Sequence, residues 1–140
     1  MSGFVWATIA ALIWGVVPLF EKLGLSRVSP LVGLFYRCVG VILGMILLSV
    51  FMVKPQEIKA VDVRSALFLI LAGFFASFIA QICFYHGLKL GDISRIVPIS
   101  ASYPFITFLI GVAVLGEGIN GYKIVGVLLV LLGVWFLKIA

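Results

Sequence analysis

The chain has 140 residues, 64% hydrophobic and 11% charged, with a mean hydropathy of +1.35 and a formal net charge of +5. Soluble domains carry roughly 25% charged residues, so a water-soluble fold is excluded, and the apolar runs leave no length for a separate soluble domain. The basic excess falls mainly in the connections, where headgroup contact and topology account for it better than nucleic acid does.

A membrane-crossing helix needs about 20 mostly apolar residues. The expected fold is an all-α integral membrane protein with five transmembrane helices over about 3–20, 31–53, 65–88, 95–115 and 121–140. Together they form one multi-pass domain, 1–140, placed in the cell membrane. Met1-Ser2-Gly3 lacks a basic n-region and no small-residue cleavage site follows, so the first run reads as a span and not a signal peptide.

In span one, Ala7, Ala11, Trp14 and Pro18 recur at three- and four-residue spacing and give one face of small residues, an indole and a kink. Trp14 is close to the midplane, where its N–H needs a partner; it is either a packing residue or a cavity wall. Span two follows Ser29-Pro30 and aligns Gly33, Arg37, Gly40 and Gly44, with Tyr36 beside them. Gly40 and Gly44 form a GxxxG pair suited to close helix contact. Arg37 is the one charge well inside a span. An arginine at mid-membrane costs about 2.5–3.5 kcal/mol on insertion scales, so it either snorkels and binds carbonyls or meets a substrate.

The connection Lys54–Arg64 mixes charges and reads as a solvated loop, with Asp62 as a cap for span three. In span three Gly73, Ser77, Gln81 and Tyr85 are spaced by four, a polar stripe that must face protein or water. His86, next to it, is a structural hydrogen-bonder in the plain reading and a proton relay in the sharper one. Span four holds Pro98 and Pro104, with Ser100, Tyr103 and Thr107 around them. Each proline removes a backbone donor and frees a carbonyl, the pattern of a bent helix lining a pocket. Gly116-Glu117-Gly118 makes a turn and Asn120 caps span five. Span five carries Gly126 and Gly133 on one face, suited to packing or dimerisation. Cys38 and Cys83 lie in apolar runs without metal-like spacing, so no disulfide, metal or cofactor is expected.

Several of these residues form an ordered set: Leu12-Ile13-Trp14-Gly15, Lys22, Tyr36-Arg37, Phe84 to Lys89, Ser94 to Pro98, Ser102-Tyr103-Pro104, Gly116-Glu117 and Gly126 with Gly133. The set resembles one EamA-type repeat of the drug/metabolite transporter superfamily, over nearly the whole chain. Members of that family commonly have ten spans in two oppositely oriented halves around a substrate cavity. The resemblance implies a transporter and not an enzyme, and this chain supplies one five-span half of an inverted-repeat architecture.

The basic residues are balanced across the expected topology: Lys54, Lys59, Arg64 and Lys123 on one side, and Lys22, Arg27, Lys89, Arg95 and Lys138 on the other. The positive-inside rule then returns no orientation. That balance suits a chain inserting both ways and pairing as an antiparallel, dual-topology homodimer through Gly126 and Gly133.

The expected function is secondary transport of a small metabolite or drug-like solute by alternating access. The expected cavity wall comprises Trp14, Tyr36, Arg37, Ser77, Gln81, Tyr85, Ser100, Tyr103 and Thr107, with Pro98 and Pro104 supplying the bend. No carboxylate is expected well inside a span, Glu21 and Glu117 being placed at the ends. Coupling is therefore assigned to uniport or to a proton on His86 or Glu117. The alternative is a non-transporting membrane subunit, or a half-transporter paired with a different five-span partner. A lipid-modifying enzyme lacks support, since one histidine and no carboxylate pair make no catalytic cluster.

Overall fold

A computed structural model describes residues 2–139 and is 84% helical. Five helical segments are long and apolar enough to cross a membrane: Gly3–Gly24, Pro30–Phe51, Val63–Leu90, Ile93–Leu115 and Gly121–Ile139. The protein is an all-α membrane protein. It divides into two compact units, Met1–Leu90 and Gly91–Ala140.

The first unit begins with α1 (Gly3–Gly24), which contains Pro18 and ends where the Leu25 N–H bonds back to Glu21 O. The helix therefore runs past Phe20 and takes Glu21 and Lys22 with it. Helix α2 (Pro30–Phe51) starts on a Ser29 cap, whose Oγ accepts from the Val32 amide at 3.4 Å, with Pro30 at the first position where no donor is needed. It stops two residues before Val53 because Met52 and Val53 both donate to Leu48 O. The connection is not wholly irregular: α3 (Pro55–Lys59) makes one short helix, with Glu57 Oε2 accepting from the Lys54 amide at 3.2 Å.

Span three is composite. Helix α4 (Val63–Phe74) starts on Asp62, whose Oδ2 accepts from the Ser65 amide at 2.9 Å. One turn of π-helix follows over Phe75–Ile79, and α5 (Ala80–Leu90) completes the span. α2 and α1 both pack on α5. Among the described residues the buried hydrophobic core is small, made of Leu25, Leu34, Tyr85 and Leu88. These four sit where the end of α1, the start of α2 and the end of α5 meet. Most other large apolar side chains are exposed, as expected for helices whose solvent is lipid. Gly33 lies in this core: a Cβ there would stand 2.5 Å from Leu25 Cδ2. Gly40 and Gly44, by contrast, have nothing within 4 Å of that position.

Two lysines tie the same end together. Lys89 Nζ donates to the carbonyls of Leu25, Ser26 and Val28, and Lys22 Nζ donates to Leu88 O. The turn between α1 and α2 thus has its backbone acceptors met by a side chain from span three.

The second unit contains span four, made of α6 (Ile93–Ser100) and α7 (Pro104–Leu115), and span five, α8 (Gly121–Ile139). The interruption falls at Ala101–Tyr103, directly before Pro104, whereas Pro98 lies inside α6. Pro104 has no N–H to return to Ser100 O, so the ladder breaks there and a tighter Ser102 N–H to Ile99 O bond takes over. α7 ends at Gly116, whose φ of +66° allows the Glu117 amide to reach Gly111 O at 3.0 Å. Asn120 Oδ1 accepts from the Lys123 amide at 2.8 Å and caps α8, and the Arg95 guanidinium donates to Lys138 O at its far end. Both α6 and α7 pack on α8.

Candidate functional site

Span three is the element from which the site is built. Gln81 and Tyr85 are four residues apart on α5 and share one face. That face meets the last turn of α1, and both side chains find the same atom: Gln81 Nε2 donates to Glu21 Oε1 at 2.9 Å and the Tyr85 hydroxyl donates to it at 3.1 Å. From α2, Arg37 brings Nε to 3.6 Å from the same oxygen. Its Nη1 also donates to Ser77 O at 3.4 Å. Ser77 lies in the π turn, where the widened ladder leaves carbonyls available to side chains.

The result is a carboxylate with one cationic and two neutral donors, gathered from three spans. The Glu21 side chain is only 10% exposed and that of Arg37 30%. Tyr85 is buried. Gly33 makes the convergence possible, because it lets Leu25 and the Tyr85 ring approach α2 one turn before Arg37. Glu21, Arg37 and Tyr85 border a cavity of about 420 Å³ whose remaining walls include Phe20, Val28 and Tyr36. The arrangement combines a fixed dipole of charge, hydroxyl and amide donors and an aromatic wall, which is what recognition of a small polar solute requires.

A larger groove, about 590 Å³, lies in the second unit between α7 and α8. Tyr103, Thr107 and Gly126 line it, and Glu117 and Lys123 close one end with a 3.4 Å ion pair. That pair is exposed, whereas the carboxylate and guanidinium of the smaller cavity are largely withdrawn from solvent.

A family model, that of the EamA-like transporter family, matches residues 1–139. The chain belongs to the EamA-like transporter family. It is similar to an uncharacterized transporter in the cobO 3′ region of a Sinorhizobium species, 30% identical over 96% of this chain and 94% of the relative. It is also 25% identical to an uncharacterized protein of Methanocaldococcus jannaschii, over 99% of this chain and 98% of that protein. No solved structure matches. Family membership assigns this protein to membrane transport, with the lipid bilayer and a small solute as its partners.

Within this EamA unit, the residues expected at the site fall into three groups. Arg37, Gln81 and Tyr85 converge on Glu21, Ser77 joins through its carbonyl, and Tyr36 borders the cavity. Trp14 is exposed and lies about two turns before Glu21 on α1, outside the cavity lining. Ser100, Tyr103 and Thr107 belong to the other unit; the Ser100 hydroxyl donates to Ile96 O within its own helix. His86 Nδ1 lies 2.8 Å from Ile82 O, a local helix contact.

The centre of the cluster was not among the expected site residues. Glu21 sits in the last turn of the first span, near the end as expected, but α1 continues past Phe20 to Gly24 and so holds the carboxylate on the helix, where Gln81 and Tyr85 of α5 reach it. Two signals pointed to it. Glu21 and Lys22 are good helix formers with no breaker before Gly24, and an arginine inside a span requires a counter-charge.

Proposed function

We propose that this protein is a secondary transporter of the cell membrane that moves a small metabolite or drug-like solute by alternating access, working as an antiparallel homodimer. The observation that carries the reading is the Glu21–Arg37–Gln81–Tyr85 cluster opening onto a cavity inside a unit of membrane spans. A scaffold subunit has no need to hold a carboxylate and a guanidinium half-buried against lipid-facing helices, where both are costly unless used. The interruption at Ala101–Tyr103 gives span four a joint of the kind that rocking requires.

The dimer is supported by three features. The basic residues balance across the topology. Gly126 and Gly133 have nothing within 4 Å of a Cβ position, so a partner backbone can approach α8 closely. The two relatives are matched over 94% and 98% of their own lengths, which leaves them no room for a second five-span half.

Purified protein in liposomes tests the reading. Saturable uptake with counterflow is expected for a solute found by a thermal-stabilisation screen of amino acids, organic acids, amines and sugars. Linear, non-saturating flux overturns the carrier. Two-sided labelling of single cysteines at loop positions is expected to mark each loop from both sides. Labelling from one side only overturns the antiparallel homodimer and favours a half-transporter with a different partner.

A further inference from the structure

The contacts of Glu21 have an unusual distribution. Gln81, Tyr85 and Arg37 all meet Oε1, and none of these contacts uses Oε2. A protonated carboxyl keeps a carbonyl oxygen that accepts hydrogen bonds and places its proton on the other oxygen. A proton can therefore be added at Oε2 while the Gln81 and Tyr85 bonds to Oε1 stay in place. The geometry suits both charge states of Glu21.

The hold of Arg37 is looser than that of the neutral donors. Its two contacts, 3.6 Å to Glu21 and 3.4 Å to Ser77 O, are long against the roughly 2.7–2.9 Å of a formed guanidinium–carboxylate bond. An anion entering the cavity competes for the guanidinium with these two long contacts. No other described charge competes for that role there. Lys22 donates to Leu88 O, Lys89 to the turn carbonyls, and His86 Nδ1 lies against Ile82 O, while Tyr36 and Tyr85 bring phenol groups and Gln81 an amide.

The charges of the site sum to zero with Glu21 ionised and Arg37 protonated. An anion that enters and binds Arg37 leaves a net negative charge in a half-buried place, which is unfavourable unless it is compensated. One proton passed from a hydronium ion or buffer acid to Glu21 Oε2 restores neutrality: the donor's bond to that proton breaks as the Oε2–H bond forms, its conjugate base stays in solution, and the anion replaces the long Arg37 contacts to Glu21 and Ser77 O. We propose that this cavity binds an organic monoanion together with one proton, Arg37 holding the anionic group and Glu21 the proton. Phe20 and Val28 receive the apolar body of the ligand, in a space of about 420 Å³. The proposal rests on the transporter reading and names its substrate class and coupling proton.

Benzenesulfonate is the probe, because it stays anionic at every working pH and any proton taken up must go to the protein. Calorimetric titration into the detergent-purified full chain, in two buffers of different ionisation enthalpy near pH 7, is expected to give close to one proton bound per anion. Affinity is expected to fall about tenfold for each unit rise in pH, the slope of a one-proton linkage. Glu21→Gln is expected to bind with no proton uptake and no slope, and Arg37→Gln to weaken binding at least tenfold. Absence of benzenesulfonate binding, binding without proton uptake, or a slope that persists in Glu21→Gln overturns the proposal. If Glu21→Gln fails to fold, the two-buffer comparison on the unaltered protein decides alone. Counterflow in liposomes together with proton-free binding sinks this inference and spares the transporter; proton-linked binding with no carrier flux does the reverse.

Discussion

Among the described residues, the first unit holds the Glu21–Arg37 pair and the second the Glu117–Lys123 pair, and the two are held very differently. In the first, Glu21 and Arg37 lie 3.6 Å apart with side chains 10% and 30% exposed, and Gln81 and Tyr85 add neutral donors. In the second, Glu117 and Lys123 lie 3.4 Å apart at 56% and 42% exposure, and Lys123 also donates to Gly118 O at 3.0 Å. The shorter pair is the more solvated one. Water and headgroups solvate Glu117 and Lys123 whether or not they touch, whereas Glu21 and Arg37 have only each other and their polar neighbours. Separation alone does not rank ion pairs; what surrounds them does.

The widest gap should open when one partner is removed from each. Arg37→Ala leaves a half-buried carboxylate without its cation and is expected to cost about 3 kcal/mol, the low end for a broken buried pair. Thermal unfolding in bicelles, followed by circular dichroism, reads the loss as a lowered Tm. Gly33→Val tests the packing beneath the pair. With Leu25 Cδ2 only 2.5 Å from the added Cβ, a cost of about 2 kcal/mol is expected, while Gly40→Ala, facing open space, is expected to leave Tm unchanged. Tyr85→Phe removes one donor to Glu21 and is expected to cost about 1.5 kcal/mol, a typical value for a hydrogen bond to a charge. Glu117→Gln should change stability by less than about 1 kcal/mol, and added salt should erase the difference.

The smallest effect concerns Asp62, fully exposed at the start of α4. Hydrogen bonds from the Ser65 hydroxyl and amide hold its carboxyl below the ordinary 3.8. The folded value lies under the unfolded one, so its stabilising contribution is present above about pH 4 and disappears as pH falls through the folded value. Asp62→Asn is expected to flatten that acid dependence, seen in hydrogen exchange of the first α4 amides.

Local chemistry was readable from the residues and distant geometry was not. The five spans follow from runs of about 20 apolar residues, and the caps on Asp62 and Asn120 depend on amides three residues away. The interruption before Pro104 needed only the missing donor, and the Gln81–Tyr85 stripe only the four-residue repeat. The partner of that stripe was harder. It lies 60 residues earlier, just past Phe20, where the apolar run of span one ends although the helix does not. The π turn left no mark, since Phe75-Ala76-Ser77-Phe78-Ile79 suits an α-helix equally well. Only the packed unit puts Ser77 O in reach of Arg37.

The lysine tie at the end of the first unit bears on the order in which the chain assembles. The carbonyls of Leu25, Ser26 and Val28 turn between spans one and two, but the ammonium that satisfies them arrives with Lys89, 64 residues after Leu25. While the ribosome is still making span three, the first hairpin has no such donor and must keep that turn in contact with water or headgroups. Insertion of span three closes it. The opening pair of helices is thus provisional until the third is in place, and a nascent chain arrested before Lys89 should keep its first turn open to water-soluble reagents.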